Sequence, residues 1–269
     1  MTHQVSVDHE REVVVKHFSD GTRGEAEREW RALRLLATHA PRLAPEPIRA
    51  DLDTSPAEVV MSLLPGEPLG GRPLTASQEW ALALALGQLW QAVPVGLVRR
   101  LPGEVNVHAR FERLVRDWAA VAADKVIAEL VVREALAIGT AWLARVTGLG
   151  DDNSNAPAAC AVPRVLGQGD AHLANFLWDG ELIRIVDFED SGVSDRAFEL
   201  AVLVEHISAW RDSGLDADRF TDSFDFSSVE LVRLADWRRL AALYWLLRLR
   251  DRGDATALRH QAERLLSLL

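Results

Sequence analysis

One short segment, GQGDAHLANFLWDGELIRIVDFED (Gly167 to Asp190), holds the residues best suited to chemistry. Strand-forming residues such as Phe176, Trp178, Ile183 and Ile185 carry Asp170, His172, Asn175, Asp187, Glu189 and Asp190 at their ends. A carboxylate five residues before an asparagine, with a second carboxylate across a hairpin, suits phosphoryl transfer to a hydroxyl. In that reaction one Asp accepts a proton while Asn and Asp hold a hard divalent cation, and rate comes from positioning and charge neutralisation. The spacing alone says little: 21 Asp and 4 Asn in 269 residues give about 0.3 such pairs by chance. Taken singly, Asp170 reads as a turn residue, Asn175 as a strand-entry residue and Asp187 as a surface carboxylate. Their joint placement on one hairpin favours the site.

That placement depends on the hairpin. Asp179-Gly180 between apolar runs predicts a two-residue turn, with Trp178 opposite Glu181, Phe176 opposite Ile183 and residue 172 opposite residue 187. Asp187 then returns to the loop that holds Asp170, His172 and Asn175.

A second candidate lies far upstream. Only Lys16 and Lys125 among 30 cationic residues are lysine, and Lys16 sits on the apolar strand EVVVKHF. A compact ammonium on a flexible stem can reach between phosphate oxygens and a carboxylate, where a planar guanidinium is a poor substitute. The following segment EAEREWRALRLLAT, with apolar or small residues at 26, 30, 33 and 37, predicts a helix offering Glu29 near its inward stripe. The plainer alternative for Lys16 is an edge-strand residue whose ammonium reaches water.

The supporting elements follow from pattern. Strands are expected at 5–7, 12–18, 48–51 and 58–62, ending in the breaker-rich LLPGEPLGGRP. The boundary of a small β-rich lobe (1–63) and a larger helical lobe (64–269) is placed there. Thr75 with Gln78 and Ser227 with Glu230 form capping boxes before two helices; others are expected at about 109–123, 125–147 and after Asp254, with a polar loop at 148–161. The nine tryptophans, Trp80, Trp90, Trp118, Trp142 and Trp245 among them, read as core packing on these helices.

Composition excludes several classes. An apolar content of 48% and a charged fraction of 26% exclude disorder. The single cysteine, Cys160, excludes an internal disulfide framework and a multi-cysteine metal site. No apolar signal core or membrane-length apolar run is present, so a cytoplasmic protein without a membrane partner is expected. A formal charge of -10 disfavours nucleic acid and suits neutral or cationic small molecules. The acidic stretch with Asp212, Asp216, Asp218, Asp222 and Asp225 could draw an amine-bearing substrate, or could be a solvated loop. Oligomeric state is not legible.

With these residues in view, the chain resembles the aminoglycoside phosphotransferase and choline kinase-like superfamily. The resemblance runs from VVVK through EREWRALRLL and VVMSLLPGEPL to GQGDAHLANFLWDGELIRIVDFEDSGVSDRAFELA. It implies an α+β, two-lobed protein kinase-like fold and transfer of the γ-phosphate of ATP, with Mg²⁺, to a hydroxyl of a small polar acceptor. By the same resemblance Asp170 is the catalytic base and Asn175 and Asp187 are the metal ligands. Lys16 contacts the phosphates and pairs with Glu29. Met61 backs the nucleotide pocket, and the backbone of Ser62 and Leu64 meets adenine. Glu199 supports the catalytic loop, and His172 braces it. Two departures stand out: Gln168 replaces the usual first histidine of the loop, and none of the fifteen residues before Lys16 forms a glycine-rich phosphate-covering loop. Two other readings compete. One is a pseudokinase-like binding protein; the other is a metal-dependent hydrolase using Asp170, His172, Asp187 and His206.

Overall fold

Four antiparallel strands, ordered β1-β2-β4-β3, make the N-terminal sheet: β1 (His3–Asp8), β2 (Val13–Phe18), β3 (Pro47–Asp51) and β4 (Ala57–Ser62). The computed structural model describes residues 3–19, 24–102, 107–122, 129–146, 149, 162–250 and 252–269. The β-branched run Val13–Val15 makes β2 a central strand, with Lys16 opposite Val5 on one side and Val59 on the other. The turn between β1 and β2 is closed by the Asp8 carboxylate, which accepts from the Glu10 and Arg11 N–H groups at 3.1 Å.

Helix α1 (Glu25–His39) packs on β3 and β4. Its buried stripe is Ala26, Glu29, Ala32, Leu33 and Leu36, about one position away from the expected 26, 30, 33 and 37. The small residues at 26 and 32 let the helix sit close to the sheet. That rotation turns Glu29 inward and leaves Trp30 half-buried.

Beyond β4 the described chain is mostly helical. Both capping boxes form: Thr75 opens α2 (Ala76–Ala92) and Ser227 opens α8 (Ser228–Leu249). Helix α3 (Val95–Val98) is a single turn, followed by α4 (Val107–Ala122) and α5 (Leu130–Arg145). Residues 123–128, with Lys125, lie outside the described residues, as does nearly all of the expected 148–161 loop, Cys160 included. Helix α8 forms the axis of this part, packing α4, α5, α6 (Arg196–Val204) and α9 (Ala255–Leu268) around Trp237, Leu240, Leu243 and Leu246. Trp80 departs from the core reading, being 66% exposed on the outer face of α2.

Three small pairings position the loops. β5 (Glu67–Pro68) adds to a sheet with β7 (Phe176–Trp178) and β8 (Ile183–Ile185), while β6 (Val165–Gly167) pairs with β9 (Gly192–Ser194). The β7–β8 hairpin differs from expectation: Phe176 lies opposite Ile185 and Trp178 opposite Ile183. The loop therefore runs through four residues, 179–182. Asp179 is the cause, because its side chain accepts from the Glu181 and Leu182 N–H groups at 2.9 and 2.7 Å and its own N–H bonds the Leu182 carbonyl. A shift of two residues keeps every side chain on its face, so Asp187 still returns beside Asn175. Short helix α7 (Ala217–Thr221) is capped by Asp216.

Candidate active site

Lys16 projects from β2 toward the helical part of the chain, 6% exposed as a residue. Its Nζ meets Glu29 Oε2 at 3.1 Å, Asp187 Oδ1 at 2.5 Å and Glu189 Oε2 at 2.5 Å. The edge-strand alternative is thereby removed, since this ammonium faces three carboxylates rather than water. Burial alone would lower the Lys16 pKa, but Glu29, Asp187 and Glu189 outweigh it and hold the pKa above its usual value. The carboxylates bear the opposite strain. Burial raises the pKa of Glu29, with Lys16 only partly offsetting it. Burial and the adjacent Asp187 push Glu189 up to about 7.

Asp170 and Asn175 occupy the loop between β6 and β7. The Asn175 side-chain amide donates to the Asp170 carbonyl at 3.2 Å and to Asp170 Oδ2 at 3.0 Å. With its NH₂ committed there, the oxygen of that amide turns the other way, where it can serve a cation. The Val186 N–H donates to the Asn175 carbonyl at 2.9 Å, drawing the Asp187 segment against this loop. Asp187 has a left-handed backbone (φ 64), a conformation that Asp tolerates better than most residues. Burial raises the Asp170 pKa, opposed by its bond from Asn175 and reinforced by Asp187 and Asp190. An amide oxygen and a carboxylate are hard donors that fit Mg²⁺, which takes few protein ligands and completes its shell with phosphate oxygens and water.

Gln168 fastens these two segments together. Its Oε1 accepts from the Asp170 N–H at 2.8 Å, while its Nε2 donates to the Asp187 carbonyl at 2.7 Å and the Val186 carbonyl at 3.2 Å. One amide thus donates and accepts at once, as the sequence suggested. Below it, the buried Glu199 accepts from the Gln168 N–H at 3.1 Å and the Ser194 hydroxyl at 2.6 Å. Burial pushes Glu199 up to about 7 against those bonds. At Gly169 (φ 83) a Cβ would stand 2.2 Å from the Asp190 carbonyl oxygen, so that loop requires glycine.

His172 braces the loop, its Nδ1 accepting from the Ala174 N–H at 3.0 Å. His206 is buried, its Nδ1 lies 2.7 Å from Ser208 Oγ, and burial lowers its pKa to about 3. Among the described residues, the two groups able to hold a metal are Glu29, Asp187, Glu189 and His3, Glu25, Glu189. Neither contains Asp170, His172 or His206, so the ligand set of the hydrolase reading does not assemble.

The expected nucleotide contacts lie at the end of β4. Met61 is buried, opposite Val14. The Ser62 N–H donates to the Glu46 carbonyl at 2.9 Å and is thereby committed within the sheet, and Leu64 is half-buried beyond it. The acidic stretch is partly committed, since Asp216 caps α7 and Asp218 pairs with Arg238 at 2.8 Å. The sequence named Glu189 and Glu25 among the available carboxylates but did not bring Glu189 to Lys16, nor His3 to Glu25 and Glu189. Glu189 carried one available signal, its place two residues after a metal-ligand candidate.

The model of the phosphotransferase enzyme family matches residues 2–243. Among solved structures, a choline kinase from Cryptosporidium parvum Iowa II aligns at 14% identity and TM-score 0.63, covering 100% of this chain and 86% of that one. An aminoglycoside phosphotransferase from Alicyclobacillus acidocaldarius aligns at 15% identity and TM-score 0.60, with coverages of 99% and 88%. A spectinomycin phosphotransferase, solved with ADP and its antibiotic, aligns at 14% identity and TM-score 0.57, with coverages of 98% and 84%. These likenesses establish the two-lobed, protein kinase-like fold. No curated protein sequence matches.

Proposed function

The chain belongs to the phosphotransferase enzyme family and is a small-molecule phosphotransferase; from that premise we propose that it transfers the γ-phosphate of ATP to a hydroxyl of a small polar acceptor, with Asp170 as the base. The observation that carries the reading is the meeting of Lys16, brought from the N-terminal sheet, with Asp187 and Glu29 in one cluster. In this scheme residues 1–63 bind the nucleotide and 64–269 supply the catalytic loop and acceptor site. Lys16, steadied by Glu29, contacts the phosphates. Met61 backs the base, which the backbone of Ser62 and Leu64 addresses. Asn175 and Asp187 hold Mg²⁺, which supplies charge neutralisation between the phosphates when bound. The Asp170 carboxylate orients the acceptor hydroxyl and one of its oxygens takes the proton as the new oxygen–Pγ bond forms and the bond from Pγ to the β–γ bridging oxygen breaks, with ADP as the leaving group. The net charge of -10 suits an acceptor that is neutral or cationic, such as an aminoglycoside, an amino alcohol or a sugar.

Incubation with MgATP and a panel of those acceptors tests the proposal; phosphate transfer to at least one, abolished by Asp170→Asn, is expected. Absence of both transfer and nucleotide binding sinks it. One observation favours a second reading, nucleotide binding without transfer. The β1–β2 turn His9-Glu10-Arg11-Glu12, which adjoins the strand of Lys16, has no glycine with which to approach a phosphate closely. That reading requires nucleotide binding untouched by Asp170→Ala and no phosphorylated product with any acceptor.

A further inference from the structure

A second cluster lies beside the Lys16 carboxylates and belongs to no step above. His3 on β1, Glu25 in the first turn of α1 and Glu189 after Asp187 converge from three separate elements. His3 Nε2 is 3.3 Å from Glu25 Oε2 and 3.3 Å from Glu189 Oε2, and the three candidate ligand atoms all lie within 4.8 Å of one another. These side chains are 6%, 8% and 18% exposed, so the cluster is interior rather than a solvated acidic face. The His3 ring packs on Phe18 at 4.7 Å, and among the described residues neither of its nitrogens makes a hydrogen bond. Buried imidazole nitrogens without such a bond are uncommon, and one of these is aimed between two carboxylates.

Among the described residues Lys16 pairs with Glu29, Asp187 and Glu189, and Arg28 Nε donates to the Glu189 carbonyl at 2.6 Å, which fixes the backbone that carries Glu189. The His3 ring presents Nε2 to both carboxylates at once, the placement of a nitrogen ligand beside two oxygen ligands.

We propose that His3, Glu25 and Glu189 bind one divalent transition-metal ion, best matched by zinc, at a site separate from the Asn175 and Asp187 pair. One imidazole and two carboxylates form a ligand set suited to zinc, whereas magnesium prefers oxygen alone. A tetrahedral zinc with ligands at about 2.0–2.1 Å has ligand–ligand edges of about 3.3–3.4 Å, which the two His3 distances match. Glu189 keeps its bond to Lys16, because a carboxylate has lone pairs enough to serve both. The ion ties β1 and α1 to the loop that carries Asp187. It thereby fixes the helix that presents Glu29 to Lys16.

The test does not depend on phosphate transfer. Full-length, tag-free protein, stripped with chelator, is titrated with Zn²⁺ without nucleotide or magnesium, in competition with a chromogenic chelator. One bound equivalent is expected, with a raised melting temperature and, on Co²⁺ substitution, the visible bands of a tetrahedral ion. His3→Gln and Glu25→Gln should each weaken zinc binding at least about tenfold, with Asn175→Ala leaving it unchanged. Melting of the apo variants verifies that they fold; should one fail, the other variant and the cobalt spectrum still decide. Equal zinc affinity in wild type and variants, or no stoichiometric binding, overturns the proposal. Loss of zinc in Asn175→Ala would place the ion at the nucleotide site and overturn it equally.

Discussion

Two buried carboxylate centres in this chain are built with opposite charge imbalance. Around Lys16, one ammonium faces Glu29, Asp187 and Glu189. Around Asp195, at the start of α6, one carboxylate faces Arg233 Nε at 2.5 Å, Arg164 Nη1 at 3.8 Å and His108 Nε2 at 3.6 Å, and also caps the Phe198 N–H at 2.8 Å. Although burial opposes it, His108, Arg233 and the Phe198 N–H hold the Asp195 pKa below the usual range, whereas Glu29 and Glu189 are raised. The Asp195 centre sets two arginines around one carboxylate and caps the N-terminus of α6. The Lys16 centre holds more carboxylate than ammonium among the described residues, the condition that favours a divalent cation.

Breaking each centre should therefore fail in a different way. The largest effect is expected from Asp170→Asn beside the charge-poor centre: a loss of turnover on the order of 10²–10⁴ with ATP affinity little changed, measured by steady-state kinetics and nucleotide titration. Asp187→Ala should instead abolish magnesium-dependent nucleotide binding while leaving the melting temperature near wild type. Asp195→Ala should do the reverse, costing about 3–5 kcal/mol in urea unfolding because it strands Arg233 and removes a helix cap. Asp195→Ala with wild-type stability, or Asp187→Ala with intact magnesium dependence, would break the comparison.

Smaller effects sharpen it. Gln168→Leu removes two hydrogen bonds to the Asp187 segment and one within its own loop and should lower turnover more than stability, with Gln168→His recovering part of the rate. The smallest is a pH effect. The Glu199 pKa is raised to about 7 from a model-peptide 4.5, so the folded state binds more protons between those values and stability falls as pH rises through that window. Glu199→Gln should flatten that slope in melting experiments. His108 acts with the opposite sign: its pKa is lowered to about 3 by burial, and stability is lost as pH falls from about 6.5 toward it.

What the sequence disclosed was chiefly local. Both capping boxes were legible because the box is a four-residue event, and β2 because its β-branched run admits little else. The approach of Asp187 to the loop of Asp170 and Asn175 was legible from the hairpin between them, and the interior place of Lys16 from the rarity of lysine on an apolar strand. The hairpin register was not, because the Asp179 side chain competes with the turn that Asp-Gly favours. Nor was the one-position rotation of α1, since the sheet beneath selects which stripe is buried. Glu25 and Glu189 lie far apart along the chain, and only the folded backbone brings His3 between them. Isolated letters carry no record of such a meeting.

The contact at Gly169 has a mechanical consequence. Because the backbone there touches the Asp190 carbonyl without room for a methyl group, the Asp170 segment and the Asp187 segment meet backbone to backbone, and any side chain at position 169 would wedge them apart.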